Sequence, residues 1–220
     1  MRFEDQRKIM TEKALIGRDI RDERIINAFL KVPRELFVPE ILRQYSYLDK
    51  PLSIGYNQTV SQPYVVAKML QELELKEDDS VLEIGTGSGY EAALLAEIVK
   101  EVCTVERIED LARRAKKLLR SMGYENINFK TGDGTKGWEK GVPSRKSFNK
   151  IVVSAGAPET IPPKLKEQLS EDGILLIPSG TLEDQNIIRI RKEKGNFKTE
   201  NLGSCAFVPL IGEFGWDNGN

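Results

Sequence analysis

Histidine is absent from all 220 residues. That removes Ser-His-Asp and Cys-His nucleophilic machinery and histidine-ligated metals, so any chemistry here runs without an imidazole base. Cysteine is nearly absent. Cys103 and Cys205 lie far apart and form no C-x-x-C pair, so no zinc or redox motif is indicated and each reads as a structural buried thiol. No run of about eighteen apolar residues occurs, and the opening M-R-F-E-D-Q-R-K is too charged for a signal peptide. A soluble cytoplasmic chain with no membrane partner is expected. Charge excess is missing too: 33 Lys and Arg face 34 Asp and Glu, a formal net charge of −1, so no global basic field recruits nucleic acid. Few Cys and Met beside abundant Lys, Arg and Glu lean towards a thermophile's composition.

What is present is a 40% hydrophobic chain of a size to build one large domain, or a domain with an extension. The organising stretch is Ser80 to Tyr90, S-V-L-E-I-G-T-G-S-G-Y. A short apolar run ends at Glu83, Gly85, Gly87 and Gly89 follow at every second position, and a helical pattern starts at once. This reads as a buried parallel strand, a tight turn and a helix N-terminus. A dinucleotide fingerprint wants G-x-G-x-x-G with the helix N-terminus free for a pyrophosphate. Here a carboxylate stands two residues before the first glycine. It would repel a pyrophosphate but could hydrogen-bond an ammonium or a ribose hydroxyl, and S-adenosylmethionine carries both groups and no phosphate. The bland alternative is a strand-to-helix turn with no ligand.

Residues 1 to 75 read as a helical and looped extension: helices over Phe3 to Ile16 and Asp22 to Leu30, a helical turn between Pro33 and Pro39, a loop over Ile54 to Pro63, then a helix from Tyr64. Residues 76 to 220 read as the core. Strands are expected at Glu101 to Glu106, Ile127 to Lys130, Ile151 to Ser154 and Gly173 to Pro178. Helices are expected at Glu91 to Val99, Ile108 to Met122 and Pro162 to Leu169. A final hairpin of Asn186 to Lys192 and Lys198 to Leu210 turns at Lys194-Gly195-Asn196. Strands alternating with helices mean a Rossmann-like α/β fold with a mostly parallel sheet and antiparallel strands at the C-terminal end.

In such a sheet ligands bind beyond the carboxyl ends of the strands. Those ends carry Glu83, Glu106 and Asp133. Glu106 lies about twenty residues past the glycines, where a carboxylate can grip ribose hydroxyls, unless it is an ordinary surface acid. Asp133, in G-D-G, could accept from an adenine amino group or simply form a turn. Three acids at three consecutive strand ends favour a neutral or cationic nucleoside.

With these positions assembled, the chain resembles the protein-L-isoaspartate O-methyltransferases, within the class I S-adenosylmethionine-dependent methyltransferases. The resemblance rests on V-P-R-E-L-F-V-P, Y-L-D-K-P-L-S-I-G-Y-N-Q-T-V-S-Q-P, V-L-E-I-G-T-G-S-G-Y, G-D-G, A-G-A-P-E-T-I-P-P-K-L-K-E-Q-L, G-I-L-L-I-P-S-G and F-V-P-L-I-G-E-F-G-W. The Q-T-V-S-Q-P loop and the F-V-P-L…G-W tail are far more specific than the glycine motif. Departures are Asn57, where relatives commonly have glycine, Asn149, where they have an acid, and Tyr64, where some have histidine.

The resemblance implies methyl transfer from S-adenosylmethionine, leaving S-adenosylhomocysteine, to the α-carboxylate of isoaspartyl residues in damaged proteins and peptides. No metal and no nucleic-acid partner are expected, and a monomer is the expected state, though the sequence itself does not fix the oligomeric state. A carboxylate with a pKa of about 3.9 is already ionised at neutral pH, which fits the missing base. Matching the motifs assigns catalysis to Ser61, orienting the carboxylate. It assigns cofactor binding to Thr59, Ser61, Tyr64, Glu83, Ile84, Gly85, Thr86, Gly87, Gly89, Glu106, Arg107, Asp133 and Gly134. Substrate binding falls to Gln58, Thr59, Ser61, Val208, Pro209 and Leu210. Ser61 has a competing reading as N-cap of the helix near Pro63, and Val208-Pro209-Leu210 as an edge strand. Rival functions are a class I methyltransferase of a small molecule or of nucleic acid, the latter opposed by Ser154-Ala155-Gly156-Ala157-Pro158 in place of the polar-Pro-Pro-aromatic motif, and a cofactor-binding module without turnover.

Overall fold

The computed structural model describes residues 1–217. In chain order its elements are α1 (Phe3–Met10), α2 (Glu23–Lys31), β1 (Leu52–Gly55), β2 (Gln58–Val60), α3 (Pro63–Glu72), β3 (Ser80–Ile84), α4 (Tyr90–Ala96), β4 (Glu101–Glu106), α5 (Glu109–Ser121), β5 (Ile127–Thr131), β6 (Phe148–Val153), α6 (Pro163–Glu167), β7 (Leu169–Gly180), β8 (Gln185–Glu193) and β9 (Asn196–Cys205). Seven of the described strands form one sheet in the order β5-β4-β3-β6-β7-β8-β9. The first five run parallel, and β8 and β9 are antiparallel.

Every residue of β3 is buried because both faces of the sheet are covered. Side chains alternate between two apolar clusters, as the period of a strand requires. Val81, Val102 and Val152 point into one, which also takes Phe29, Leu70, Leu94 and Leu119 from the helices. Leu82, Cys103 and Ile151 point into the other, with Trp138, Phe148 and Leu165. Met10, Phe29 and Val60 of the N-terminal segment sit in the first cluster beside the core's own helices. Cys103 is buried and Cys205 half-buried; burial pushes both thiols well above their usual range, so neither is a thiolate near neutral pH.

Helix ends follow local chemistry. Asp22 caps α2 by accepting from Arg24 N at 2.9 Å. α5 carries Glu109 and Asp110 in its first turn and Arg120 in its last, matching the helix dipole. No helix among the described residues is long and apolar enough to cross a membrane.

Several expected boundaries move. The stretch expected to be helix to Ile16 widens into a π-type turn from Thr11. The expected loop from Ile54 is a hairpin, β1 on β2, with Leu52 and Ile54 inward and Ser53 and Gly55 outward. Its turn places Tyr56 and Asn57 both at φ 56°, a geometry that Asn-Gly usually supplies. Tyrosine there hid the signal; its hydroxyl donates to Asp110 and its ring lies 5.7 Å from the Arg114 guanidinium. β6 starts earlier, at Phe148, and α6 is shorter than the expected helix. The last strand stops at Cys205, because Val208 to Leu210 leaves β8 to run beside Gly156: Gly156 N donates to Val208 O and Leu210 N to Gly156 O, each at 2.8 Å.

Candidate functional site

The chain reverses direction across the sheet at β3, with β4 to one side and β6 to the other. A cleft opens there, beyond the strands' carboxyl ends, with a volume of about 760 Å³ including its mouth. Its floor is the turn after β3, where Ile84, Gly85, Thr86 and Gly87 line the space. Gly87 sits at φ 54°, and a Cβ on it would stand 3.3 Å from Ile54, so glycine lets the β1–β2 hairpin close over the turn. Gly89 does different work. At φ 89° it starts α4, and a Cβ would stand 2.8 Å from Leu119 of α5. Among the lining residues it is missing; it serves helix packing.

Most amides of this turn are already used. Gly85 N donates to Val105 O at 2.8 Å, Gly89 N to Thr86 O at 2.8 Å, and Gly87 N to Glu106 Oε2 at 2.8 Å. A pyrophosphate would have to displace a carboxylate. The turn therefore suits a nucleoside that brings no phosphate.

Glu106 ends β4 and lines the cleft beside Arg107. Its other oxygen, Oε1, accepts from Ile108 N at 2.9 Å. Each oxygen keeps a free lone pair for a hydroxyl. Glu83 lies behind the wall rather than on it. It is fully buried, Oε2 accepts from Thr104 Oγ1, and Oε1 has no hydrogen-bond partner. Burial, then the charge of Glu91, hold its carboxyl well above the usual range. Glu91 is in the first turn of α4 and does line the cleft. Ser154, just past β6, donates its hydroxyl to Glu91 Oε2, while Oε1 is unpartnered. Burial pushes this carboxyl up to about 7.

Asp133 is placed differently from the expectation. Partial burial works to raise its pKa, but hydrogen bonds from Glu213 N, Thr135 Oγ1 and Thr135 N hold it below the usual range. It caps the turn at Gly134 to Lys136 and pins the C-terminal tail. Its neighbour Gly134 lines the cleft; Asp133 faces an adjoining shallow groove with Arg107 and Trp216.

The cleft's other wall is β2 and the residues after it: Gln58, Thr59 and Ser61 all face it. Ser61 is not the cap of α3. That position belongs to Gln62, whose side chain makes no capping bond, and Tyr64 N donates instead to Asp49 Oδ1 at 3.0 Å. With a remote carboxylate capping the helix, the serine hydroxyl is left free to face the cleft. Tyr64 itself points away. Its ring stacks under the Arg18 guanidinium at 3.5 Å, against the N-terminal segment, so it is not a lining residue. Val208, Pro209 and Leu210 close the third side.

Most of the expected residues therefore converge, and four do not line the cleft: Tyr64, Glu83, Gly89 and Asp133. The motif reading missed Glu91, Ser154 and Tyr90, which do. It also gave no role to Arg34, fully buried in the V-P-R-E motif. Arg34 donates to the carbonyls of Ser46 at 2.8 Å, Ser61 at 2.9 Å and Lys50 at 3.4 Å, and lies 4.9 Å from the Tyr90 ring. Glu91 could have been found from its place directly after the glycine turn. Arg34 left no local signal.

Buried carboxyl oxygens without partners, an acid at the end of β4 with lone pairs to spare and a turn whose Gly87 amide a carboxylate already takes fit S-adenosylmethionine, a nucleoside with two cationic groups. Known proteins agree. The family model "Protein-L-isoaspartate(D-aspartate) O-methyltransferase (PCMT)" matches residues 5–215. A protein-L-isoaspartate O-methyltransferase of Petrotoga mobilis is 53% identical, the match covering 98% of this chain and 100% of the relative. A solved protein-L-isoaspartate O-methyltransferase superposes with a TM-score of 0.83 at 27% identity, covering 95% of this chain and 67% of that one. A Plasmodium falciparum homologue in complex with S-adenosyl-L-homocysteine gives 0.80 at 26% identity, covering 93% and 97%. With its own motifs gathered around one cleft and a match that spans nearly the whole sequence, this chain belongs to the protein-L-isoaspartate O-methyltransferase family.

Proposed function

We infer that this protein is a repair enzyme: it methylates the α-carboxylate of L-isoaspartyl residues in damaged proteins, with S-adenosylmethionine as donor. The carrying observation is Ser61, released from helix capping and facing a cleft bounded by the glycine turn and the Val208 to Leu210 segment. S-adenosylmethionine supplies an electrophilic methyl on a sulfonium. The residues that would hold it are Glu106 for the ribose hydroxyls, Ile84 to Gly87 for the nucleoside's edge and Glu91 for positive charge.

The protein's part is positioning. A substrate carboxylate arrives ionised, so no side chain needs to take a proton. Ser61 donates one hydrogen bond that orients an oxygen of that carboxylate. Gln58 and Thr59 shape the same wall, and Val208 to Leu210 borders the peptide backbone. Water is kept out by the hairpin, whose Ile54 lies against the glycine turn. Glu83, Gly89, Asp133 and Tyr64 support this arrangement from behind. The reading extends to one structural unit, an extension of residues 1–75 and a core of residues 76–220, acting as a monomer; side chains of both parts share one apolar cluster.

An isoaspartyl peptide and its aspartyl isomer differ only by a methylene moved from side chain to backbone. A wall that holds the backbone puts one carboxylate at Ser61 and misplaces the other, and about an ångström of misplacement costs on the order of a hundredfold. The experiment gives both peptides a radiolabelled methyl donor. Isoaspartate should win by at least that order; equal labelling would overturn the repair reading.

A further inference from the structure

Two buried carboxyl groups, one on the cleft wall and one behind it, lie near enough for the charge of one to act on the other, and neither has a cation to balance it. Glu83 comes from β3 and Glu91 from the first turn of α4. Each keeps one oxygen buried and without a hydrogen-bond partner, and Glu91 is 8% exposed and faces the cleft. The groups packed around them come from every adjoining element. Thr104 of β4 donates to Glu83, Ser154 beyond β6 donates to Glu91, and Glu106 at the end of β4 adds a further negative charge. Neither carboxyl forms a salt bridge among the described residues. Two buried like charges this poorly compensated cannot both be ionised cheaply, since desolvation and mutual repulsion act together. One proton shared between them relieves both costs, as in other buried carboxylate pairs.

We propose that the Glu83–Glu91 pair holds one proton in the free enzyme and gives it up to solvent when S-adenosylmethionine enters, so that donor binding is coupled to proton release. The inference rests on the reading that this cleft takes S-adenosylmethionine. A donor bringing positive charge to the cleft face of Glu91 does what the proton did. The pair goes from one negative charge to two, the donor's cationic charge balances the change, and the proton leaves to buffer. The direction of the Glu91 shift supports this, because burial holds that carboxyl protonated into the range where cells operate. The consequence is a donor affinity that weakens as pH falls, approaching tenfold per pH unit for one coupled proton.

The test is titration calorimetry of the full chain with S-adenosylmethionine at about pH 6, where an α-amino group with a pKa near 7.7–8.0 is already protonated free and bound. Two buffers of different ionisation enthalpy report the protons released. Wild type should release a large fraction of one proton, and Glu91→Gln close to none, with an affinity nearly flat from about pH 5.5 to 7. Equal apparent heats in the two buffers for wild type, or the same release from Glu91→Gln, would overturn the proposal. Should Glu91→Gln not fold, Ser154→Ala serves. It removes the hydrogen bond that steadies ionised Glu91, so the fall in affinity should begin at higher pH; an unshifted curve would count against the coupling. No binding heat at all in wild type would instead refute the donor reading itself.

Discussion

Arg34 Nη2 donates to the main-chain carbonyl of Ser61 at 2.9 Å, tying a fully buried guanidinium to the backbone of the residue whose hydroxyl faces the cleft. The same guanidinium holds the carbonyls of Ser46 and Lys50. Burial lowers its pKa from the usual value, yet arginine stays charged at any ordinary pH. One side chain thus gathers three stretches of irregular chain into a fixed wall.

Replacing Arg34 by Met leaves those carbonyls buried without donors, and should cost about 3–5 kcal/mol of stability by chemical denaturation. Arg34→Lys keeps the charge but not the planar fork. Where it folds, its kcat should fall on the order of tenfold or more with little change in donor affinity. A Lys variant with wild-type kcat would show that Ser61 is held in place without Arg34.

Ser61→Ala should lower kcat by about one to three powers of ten, the loss of an orienting group rather than of a base. Because Asp49 rather than Ser61 caps α3, thermal stability should hardly move. A drop of about 1 kcal/mol in stability with full activity would restore the capping role.

Glu106→Ala should weaken S-adenosylmethionine binding by about 1–3 kcal/mol, read by calorimetry. Part of that loss is indirect, because Gly87 N and Ile108 N lose their acceptors. Glu106→Gln offers one carbonyl oxygen for those two amides and should fall between. Unchanged affinity in both folded variants would remove Glu106 from the site.

Glu91 predicts a pH dependence of folding. Its carboxyl is raised by burial from 4.5 to about 7, so the folded state disfavours the charged form. Stability from this group is greatest below the unfolded pKa, falls as pH rises through the window from 4.5 to about 7, and is flat above it. Glu91→Gln removes the penalty: it should be more stable than wild type by about 1–3 kcal/mol at pH 8 and nearly equal at pH 4.5. Matching melting curves for the two proteins at pH 8 would contradict the buried charge. The missing histidine still rules out an imidazole limb between pH 6 and 8, but the Glu91 carboxyl, pushed up to about 7, falls in the same range.

The local patterns of the chain determined the α/β alternation, the glycine turn and the acid about twenty residues beyond it, because strand burial, helix periodicity and turn chemistry are written in neighbouring residues. The Q-T-V-S-Q-P loop and the V-P-L tail were equally legible as motifs. Only the tertiary structure decided which of those residues reach the cleft. Gly89 turns out to serve the Leu119 contact and Asp133 the C-terminal tail, both through partners far along the chain. The motif position places Tyr64 at the cofactor, yet its ring lies against the Arg18 guanidinium, away from the cleft. Asp49 capping α3, Arg34 gripping Ser61 and the charge of Glu91 acting on Glu83 join residues on separate elements. No spacing rule encodes such pairs, since packing and burial bring them together and set their charge only once the chain has closed.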